Sequence, residues 1–284
     1  MAAPFLKWAG GKKRLASRII ASIPAGGATY HEPFLGGGAV FFAARASALR
    51  ARLCDSNAEL IECFGMVRDR TEDLIARLEP MAREYLAEDA EGRKRLYLER
   101  RASIPGDPVG RSARLIFLNR TCYNGLYRVN AKGLFNVPHG RYLNPRILDA
   151  SGLRTAASAL AATELVSEDF EAACAHATAG DFVYLDPPYF PLTATARFTD
   201  YTVGAFGPAE HERLRDVFED LACRGVAAML SNSIAPYVED LYSGHGYGIA
   251  RVTMSRAINS VGAGRAPVAE LLIDNFERAR AAPG

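Results

Sequence analysis

The sequence predicts an α/β fold: a mainly parallel sheet with flanking helices, interrupted once by a helical and basic insertion. Three observations predict it. Short strand-like runs bounded by turn residues recur at 29–32, 52–55, 165–167, 182–185, 227–231, 249–254 and 269–273. The run Phe182-Val183-Tyr184-Leu185 is apolar throughout, as befits a strand buried on both faces of a parallel sheet. From Asn57 to about Ala159 the strand rhythm stops, and the pattern turns helical, then basic and loop-rich, with Ile104-Pro105-Gly106-Asp107-Pro108 as a break. The expected organisation is a sheet domain built from 1–56 and 160–284, carrying 57–159 as an insertion.

Taken in order, the first strand leads through Gly36-Gly37-Gly38 into a helix ending near Ala48. The second strand follows, then the insertion. The remaining strands alternate with helices expected over 210–223 and 235–242. The chain has 284 residues, 49% of them apolar, enough for a sizeable core in one large domain or one domain with an insertion. There is no run of 18 apolar residues to span a membrane, and Lys7, Trp8 and Gly10-Gly11 come too early for an apolar signal region. The five cysteines, odd in number and scattered, read as reduced thiols of a cytoplasmic protein. Neither they nor the five histidines have metal-ligand spacing, so no metal is expected.

Charge is unevenly spread. Residues 92–146 hold twelve Lys or Arg against Glu99 and Asp107, in a chain whose net charge is only +2. A basic block on an otherwise acidic protein is the footprint of a polyanion partner. For 93–101 a solvated helical face explains the charges as well; in 111–146, Tyr123, Tyr127, Phe135, Tyr142 and several asparagines interleave with them.

The most informative motif is Asp186-Pro187-Pro188-Tyr189, directly after the strand 182–185. The carboxyl edge of a parallel sheet is where open α/β folds bind ligands. Here that edge presents a carboxylate, a proline-stiffened backbone and an aromatic ring. Asp186 and the Pro187 carbonyl can accept the two hydrogens of an exocyclic amine, and Tyr189 can cover the face of a flat base. Two acceptors off the ring plane favour a tetrahedral nitrogen whose lone pair points at an electrophile. A plain turn after a strand is the bland alternative for the motif taken alone.

A second motif, Glu32-Pro33-Phe34-Leu35-Gly36-Gly37-Gly38, ends the first strand, and Asp55 ends the next about 20 residues on. Glycines there allow a tight turn and close approach of a cofactor, and a carboxylate at the second strand end is placed for ribose hydroxyls. Acidic groups rather than a phosphate-binding lysine suit a cofactor without phosphate; S-adenosylmethionine, with its ribose, adenine and sulfonium, fits. Gly10-Gly11-Lys12 fails the phosphate-loop spacing, since Leu6 stands at the required first glycine and Lys13 replaces Ser or Thr.

These motifs occur in a set that resembles the Dam-like DNA adenine-N6 methyltransferases. The set comprises Leu6-Lys7-Trp8-Ala9-Gly10-Gly11-Lys12, the Glu32 to Gly38 motif, Asp55, Leu118-Asn119-Arg120, Tyr123-Asn124-Gly125-Leu126, Arg128-Val129-Asn130 and Phe135-Asn136-Val137-Pro138. Asp186 to Tyr189, Phe198 and Thr199 with Tyr201, Ser231-Asn232, and Arg256 through Glu270 complete it, from Pro4 to about Asn275. The resemblance implies a Rossmann-like S-adenosylmethionine-dependent methyltransferase sheet with an inserted, mainly helical DNA-recognition domain. The catalytic methyltransferase domain is then 1–56 and 160–284, and 57–159 is the target-recognition domain.

The resemblance also implies roles. Asp186, Pro187, Pro188 and Tyr189 are the expected catalytic motif. Trp8, Gly10, Lys12, Glu32, Phe34, Gly36, Gly38, Asp55, Asp169, Phe170 and Asp186 are expected at the cofactor, Asp169 and Phe170 holding its adenine. Tyr189, Phe198 and Tyr201 are expected around the target base. Arg128 resembles the guanine-reading arginine, Tyr123 the aromatic wedge, and Asn124 and Leu126 neighbouring base contacts. Arg120, Asn136, Arg141 and Arg265 are candidate phosphate contacts, with a structural salt bridge as the alternative for Arg120. For Asp169 and Phe170 the alternative is a helix cap and a core ring. The implied function is transfer of a methyl group from S-adenosylmethionine to N6 of an adenine flipped out of double-stranded DNA, within GATC, by a monomer. A longer GAT-containing site in a restriction-modification system, and a non-catalytic DNA-binding relic, are the alternatives. Enzymes of the same fold that act on cytosine N4 usually carry Ser at the Asp186 position, and those that act on protein glutamine or some RNAs carry Asn, so Asp186 argues against them. Thr121-Cys122 and Leu134 depart from the enterobacterial-type pattern, which leaves the outer base pairs of the site open.

Overall fold

The computed structural model describes residues 2–8, 10, 12, 15–24, 29–44, 50–192, 206–254 and 268–281. The chain divides into two compact units. One comprises Met1–Ile20, Gly36–Ala48 and Asn57–Ser167, the other Ala21–Leu35, Leu49–Ser56 and Glu168–Gly284. The insertion expected over 57–159 thus falls within the first unit, together with the N-terminal segment and the glycine turn.

The seven described strands are β1 (Thr29–Glu32), β2 (Arg50–Cys54), β3 (Thr163–Val166), β4 (Phe182–Leu185), β5 (Ala227–Ser233), β6 (Gly248–Met254) and β7 (Val268–Asp274), and those of the second unit make a mainly parallel sheet. All but β3 lie in the second unit, in the order β2-β1-β4-β5-β7-β6. β1, β2, β4 and β5 are parallel, with Glu32 beside Leu53 and Leu185 beside Leu230. β7 is antiparallel to both β5 and β6. Consecutive strands that pair antiparallel need no crossover helix, which is why no helical period separates 249–254 from 269–273.

All four residues of β4 are buried, as the unbroken apolar run required. The core of this unit gathers Val183 and Leu185 from β4, Ala228 and Leu230 from β5, Leu271 and Ile273 from β7, and Leu214, Phe218 and Leu221 from the helix Pro208–Cys223.

The first unit is mainly helical. Asn57, Asp89, Asp107 and Asp149 each accept a backbone N–H from the first turn of the helix that follows them: Ala58–Asp69, Ala90–Ala102, Pro108–Thr121 and Ala150–Leu160. The helix Pro108–Thr121 is buried on nearly every side, which marks it as a core helix despite its three arginines. Arg114 resolves the conflict by donating to the carbonyls of Arg100 and Arg101 at 2.9 and 2.7 Å, at the C-terminal end of the preceding helix.

No helix among the described residues is long and apolar enough to cross a membrane.

Candidate functional site

In the second unit the parallel strands bring three carboxylates to one edge. Glu32 ends β1, Asp55 follows β2, and Asp186 follows β4. Two of them are held by hydroxyls. Tyr30 donates to Glu32 Oε2 at 2.9 Å, and Ser231 Oγ donates to Asp186 Oδ1 at 2.8 Å. Glu32 is buried at 3% exposure, so its hydrogen bond offsets a desolvation cost that would otherwise be large. Burial above all, then the neighbouring carboxylates, pushes the Tyr30 and Tyr184 hydroxyls well above the usual phenol range, so both remain donors.

The loop after Asp186 is tied to the sheet at each step. Tyr189 donates to Glu270 Oε2 of β7 at 2.5 Å, Phe190 N–H donates to Asn232 Oδ1 at 3.1 Å, and Ser233 Oγ donates to the Phe190 carbonyl at 2.6 Å. Burial, then Asp186 and Glu270, also raises the Tyr189 hydroxyl. The ring of Tyr189 is therefore half-buried and anchored at its tip.

Asp169 and Phe170 stand at the start of a short helix. Asp169 caps the helix Phe170–Ala175, and its carboxylate pairs through both oxygens with Arg213 at 2.8 and 2.9 Å, which holds it below the usual carboxylate range. The Phe170 ring is buried, stacks on Phe34 at 5.4 Å and lies 4.2 Å under the Arg213 guanidinium.

In the first unit the N-terminal motif and the glycine turn pack together. Gly36 has φ of +50°, and a Cβ there would lie 2.8 Å from Trp8 Cδ1. Only glycine supplies both the left-handed turn and the room for the indole. Gly38 accepts the first hydrogen bond of the helix Ala39–Ala44 from Phe42. Lys12 is buried and donates to the Gly10 carbonyl at 2.9 Å. The Trp8 ring also stacks on Tyr127, at 5.4 Å and 24°.

Tyr127 belongs to a turn and hairpin of the same unit. After the helix Pro108–Thr121 the chain forms a 3-10 turn, Tyr123–Gly125, with Asn124 at φ of +54°. The turn pushes Tyr123 into solvent at 55% exposure. A short hairpin follows, with Val129 opposite Phe135 and the Arg128 carbonyl accepting Asn136 N–H. Arg128 and Leu126 are exposed; Arg128 Nε donates to Asn136 Oδ1 at 2.7 Å. Asn136, expected as a phosphate contact, is thus committed to Arg128.

The Arg120 guanidinium is half-buried and donates to the Phe5 carbonyl at 2.6 Å. Arg141 is exposed and, with Lys132, has no side-chain partner among the described residues. Much of the remaining basic block is spent internally. Arg93 donates to three backbone carbonyls, Arg100 pairs with Glu84, and Arg111 with Glu62. The charge count overstated the free basic surface because it could not see these acceptors. Phe198, Tyr201 and Arg265 lie outside the described residues.

Three residues that the sequence placed only within motifs, without a role, are singled out by the geometry. Asn119 clamps the N-terminal segment to the turn, accepting Lys7 N–H at 2.8 Å and donating to the Lys7 and Gly125 carbonyls. Lys7 lies against Gly125 with its Nζ 4.3 Å from the Tyr142 ring centre. Ser231 reaches Asp186; its only sequence signal was its place in the Ser231-Asn232 motif. No cluster of His, Cys, Asp and Glu among the described residues could hold a metal ion.

Comparison with known proteins adds four findings. The family described as D12 class N6 adenine-specific DNA methyltransferase matches residues 8–258. A type II methyltransferase of Methanocaldococcus jannaschii, M.MjaIII, is 40% identical over 96% of this chain and 99% of its own, and the type II methyltransferase M1.LlaDCHI of Lactococcus lactis subsp. cremoris is 38% identical over 96% and 95%. A DNA adenine methylase of Serratia marcescens is 37% identical over 94% and 96%.

Proposed function

The chain belongs to the D12 class of N6 adenine-specific DNA methyltransferases, and we propose that it uses S-adenosylmethionine to methylate an adenine flipped out of duplex DNA, within GATC. The observation that carries the residue assignment is the anchored carboxylate of Asp186, followed by Pro187, Pro188 and Tyr189, at the carboxyl edge of a parallel sheet.

The donor set suits this cofactor. Glu32, Asp55 and Asp186 follow three parallel strands, an acidic edge that favours a cation and offers acceptors for ribose hydroxyls and an amino group. Gly36 and Gly38 leave the turn beside Trp8 without side chains. S-adenosylmethionine, when bound, supplies a methyl group already activated on a sulfonium. What remains for the protein is positioning. Asp186 accepts one N6 hydrogen and the Pro187 carbonyl the other, which turns the nitrogen lone pair out of the ring plane. Tyr189, fixed by Glu270, covers the extruded base, with Phe198 and Tyr201 assigned to the same pocket. Asp169 and Phe170 are assigned to the cofactor adenine; Asp169 must then share its carboxylate with Arg213.

Recognition is assigned to 57–159 and catalysis to 1–56 and 160–284. Arg128 reads a guanine, Tyr123 fills the base stack, Asn124 and Leu126 contact neighbouring bases, and Arg141 and Arg265 meet phosphates. Two relatives bear the name type II methyltransferase, which favours a second reading: modification of a longer site beginning GAT in a restriction-modification system. A monomer in the cytoplasm fits either.

Replacing the acceptor tests the assignment. Asp186→Ala should abolish methyl transfer while leaving most DNA binding, measured by label incorporation and by a binding titration on the same duplex. Sustained methylation by this variant contradicts it.

A further inference from the structure

Asp186 is as good an acceptor as its orientation allows, and the group that orients it lies on the neighbouring strand. β4 and β5 run parallel with Leu185 beside Leu230. The next step in register brings Ser231 alongside Asp186. Ser231 is fully buried, and its Oγ donates to Asp186 Oδ1 at 2.8 Å. An ionised carboxylate only accepts, so the single hydroxyl hydrogen of Ser231 points at Asp186. The Tyr184 hydroxyl, 2.8 Å from Ser231 Oγ and also fully buried, is then the donor in that contact. The three residues form an ordered chain, Tyr184 to Ser231 to Asp186, that ends on the reacting carboxylate.

We infer that Ser231 is a positioning residue for methyl transfer: with Tyr184 behind it, it fixes the Asp186 carboxylate in its acceptor orientation and favours its ionised form. This rests on the assignment of Asp186 as the amine acceptor. The next two residues of β5 act on the loop rather than on the carboxylate, since Asn232 and Ser233 hold the backbone of Phe190. Ser231 alone of the three touches Asp186, so its loss should alter the chemistry and not merely the placement of the loop. A hydrogen bond to a charged group stabilises by about 10- to 100-fold in an equilibrium constant, and a rate loss of that order is expected where the bond orients the acceptor. A carboxylate that loses such a donor ionises less readily, so its apparent pKa rises.

The test uses the full chain, an unmethylated duplex and labelled S-adenosylmethionine, with rates measured across pH for Ser231→Ala, Tyr184→Phe and Asp186→Ala. Ser231→Ala should lower kcat by about 10- to 100-fold with KM for DNA little changed, and move the acid limb of the pH profile to higher pH. Tyr184→Phe should shift the limb in the same direction by less. An acid limb left at its original position in Ser231→Ala, whatever happens to the rate, overturns the inference if Asp186→Ala is inactive. If Asp186→Ala itself methylates, the assignment of Asp186 falls, and the inference with it. Should Ser231→Ala not fold, as judged by circular dichroism, the position of the limb in Tyr184→Phe decides by the same criterion.

Discussion

Arg128 is the residue proposed to carry sequence discrimination, and its setting says how it would work. Its Nε donates to Asn136 Oδ1 at 2.7 Å and its Nη2 lies 3.3 Å from the Asn136 carbonyl, so the exposed guanidinium is already ordered. A fork fixed in this way loses less side-chain entropy when it meets the O6 and N7 acceptors of guanine. Arg128→Ala should cost about 1–3 kcal/mol and relax discrimination at one guanine. Asn136→Ala should weaken preference at that same base by less, because it frees the fork without removing it. Methylation rates on duplexes with that base substituted check both; retained guanine preference in Arg128→Ala would remove Arg128 from its role. The same scale shows why motif residues divide into two kinds. Tyr123 and Arg128 face solvent, whereas Asn119 is buried and holds the Lys7 segment to Gly125.

Among the elements, the glycine turn carries the sharpest constraint. Ala at position 36 would adopt a left-handed conformation at a cost of roughly 1–2 kcal/mol, and its Cβ would meet the Trp8 ring. Trp8 is the one tryptophan in the chain, so its emission reports on this turn. Gly36→Ala should shift Trp8 fluorescence and weaken calorimetric binding of S-adenosylmethionine; unchanged emission and affinity would remove the turn from the cofactor's cradle. The strands were legible because their signal is local. An apolar run such as 182–185 must be buried whatever surrounds it, and β4 has those bounds. The antiparallel setting of β7 was not legible, because strand direction depends on pairing partners remote in sequence. Nor was Arg120's contact with the Phe5 carbonyl: an arginine near Tyr123 looks alike in sequence whether it faces a phosphate or an internal carbonyl.

For the whole molecule, the charge pattern and the fold carry different information. Residues 92–146 are strongly basic, yet Arg93, Arg100, Arg111, Arg114 and Arg120 are bound up in helix ends, carbonyls and ion pairs. The exposed Arg128, Lys132 and Arg141 cluster with the exposed Tyr123 and Leu126 in the segment after the core helix Pro108–Thr121. Binding energy from phosphates and selectivity from bases would thus come from one short stretch on a rigid helical support. The Asp186 carboxylate, proposed to grip the amine, stands on a sheet edge held by Ser231, while Glu270 holds Tyr189 beside it. The proposed reading is that this arrangement positions one amine and reads few bases. Incubating the purified protein with unmethylated plasmid and labelled S-adenosylmethionine, then sequencing the modified positions, tests that most directly. The account predicts label on N6 of the adenine in GATC, on both strands; label on cytosine, on RNA, or nowhere despite bound cofactor would contradict it.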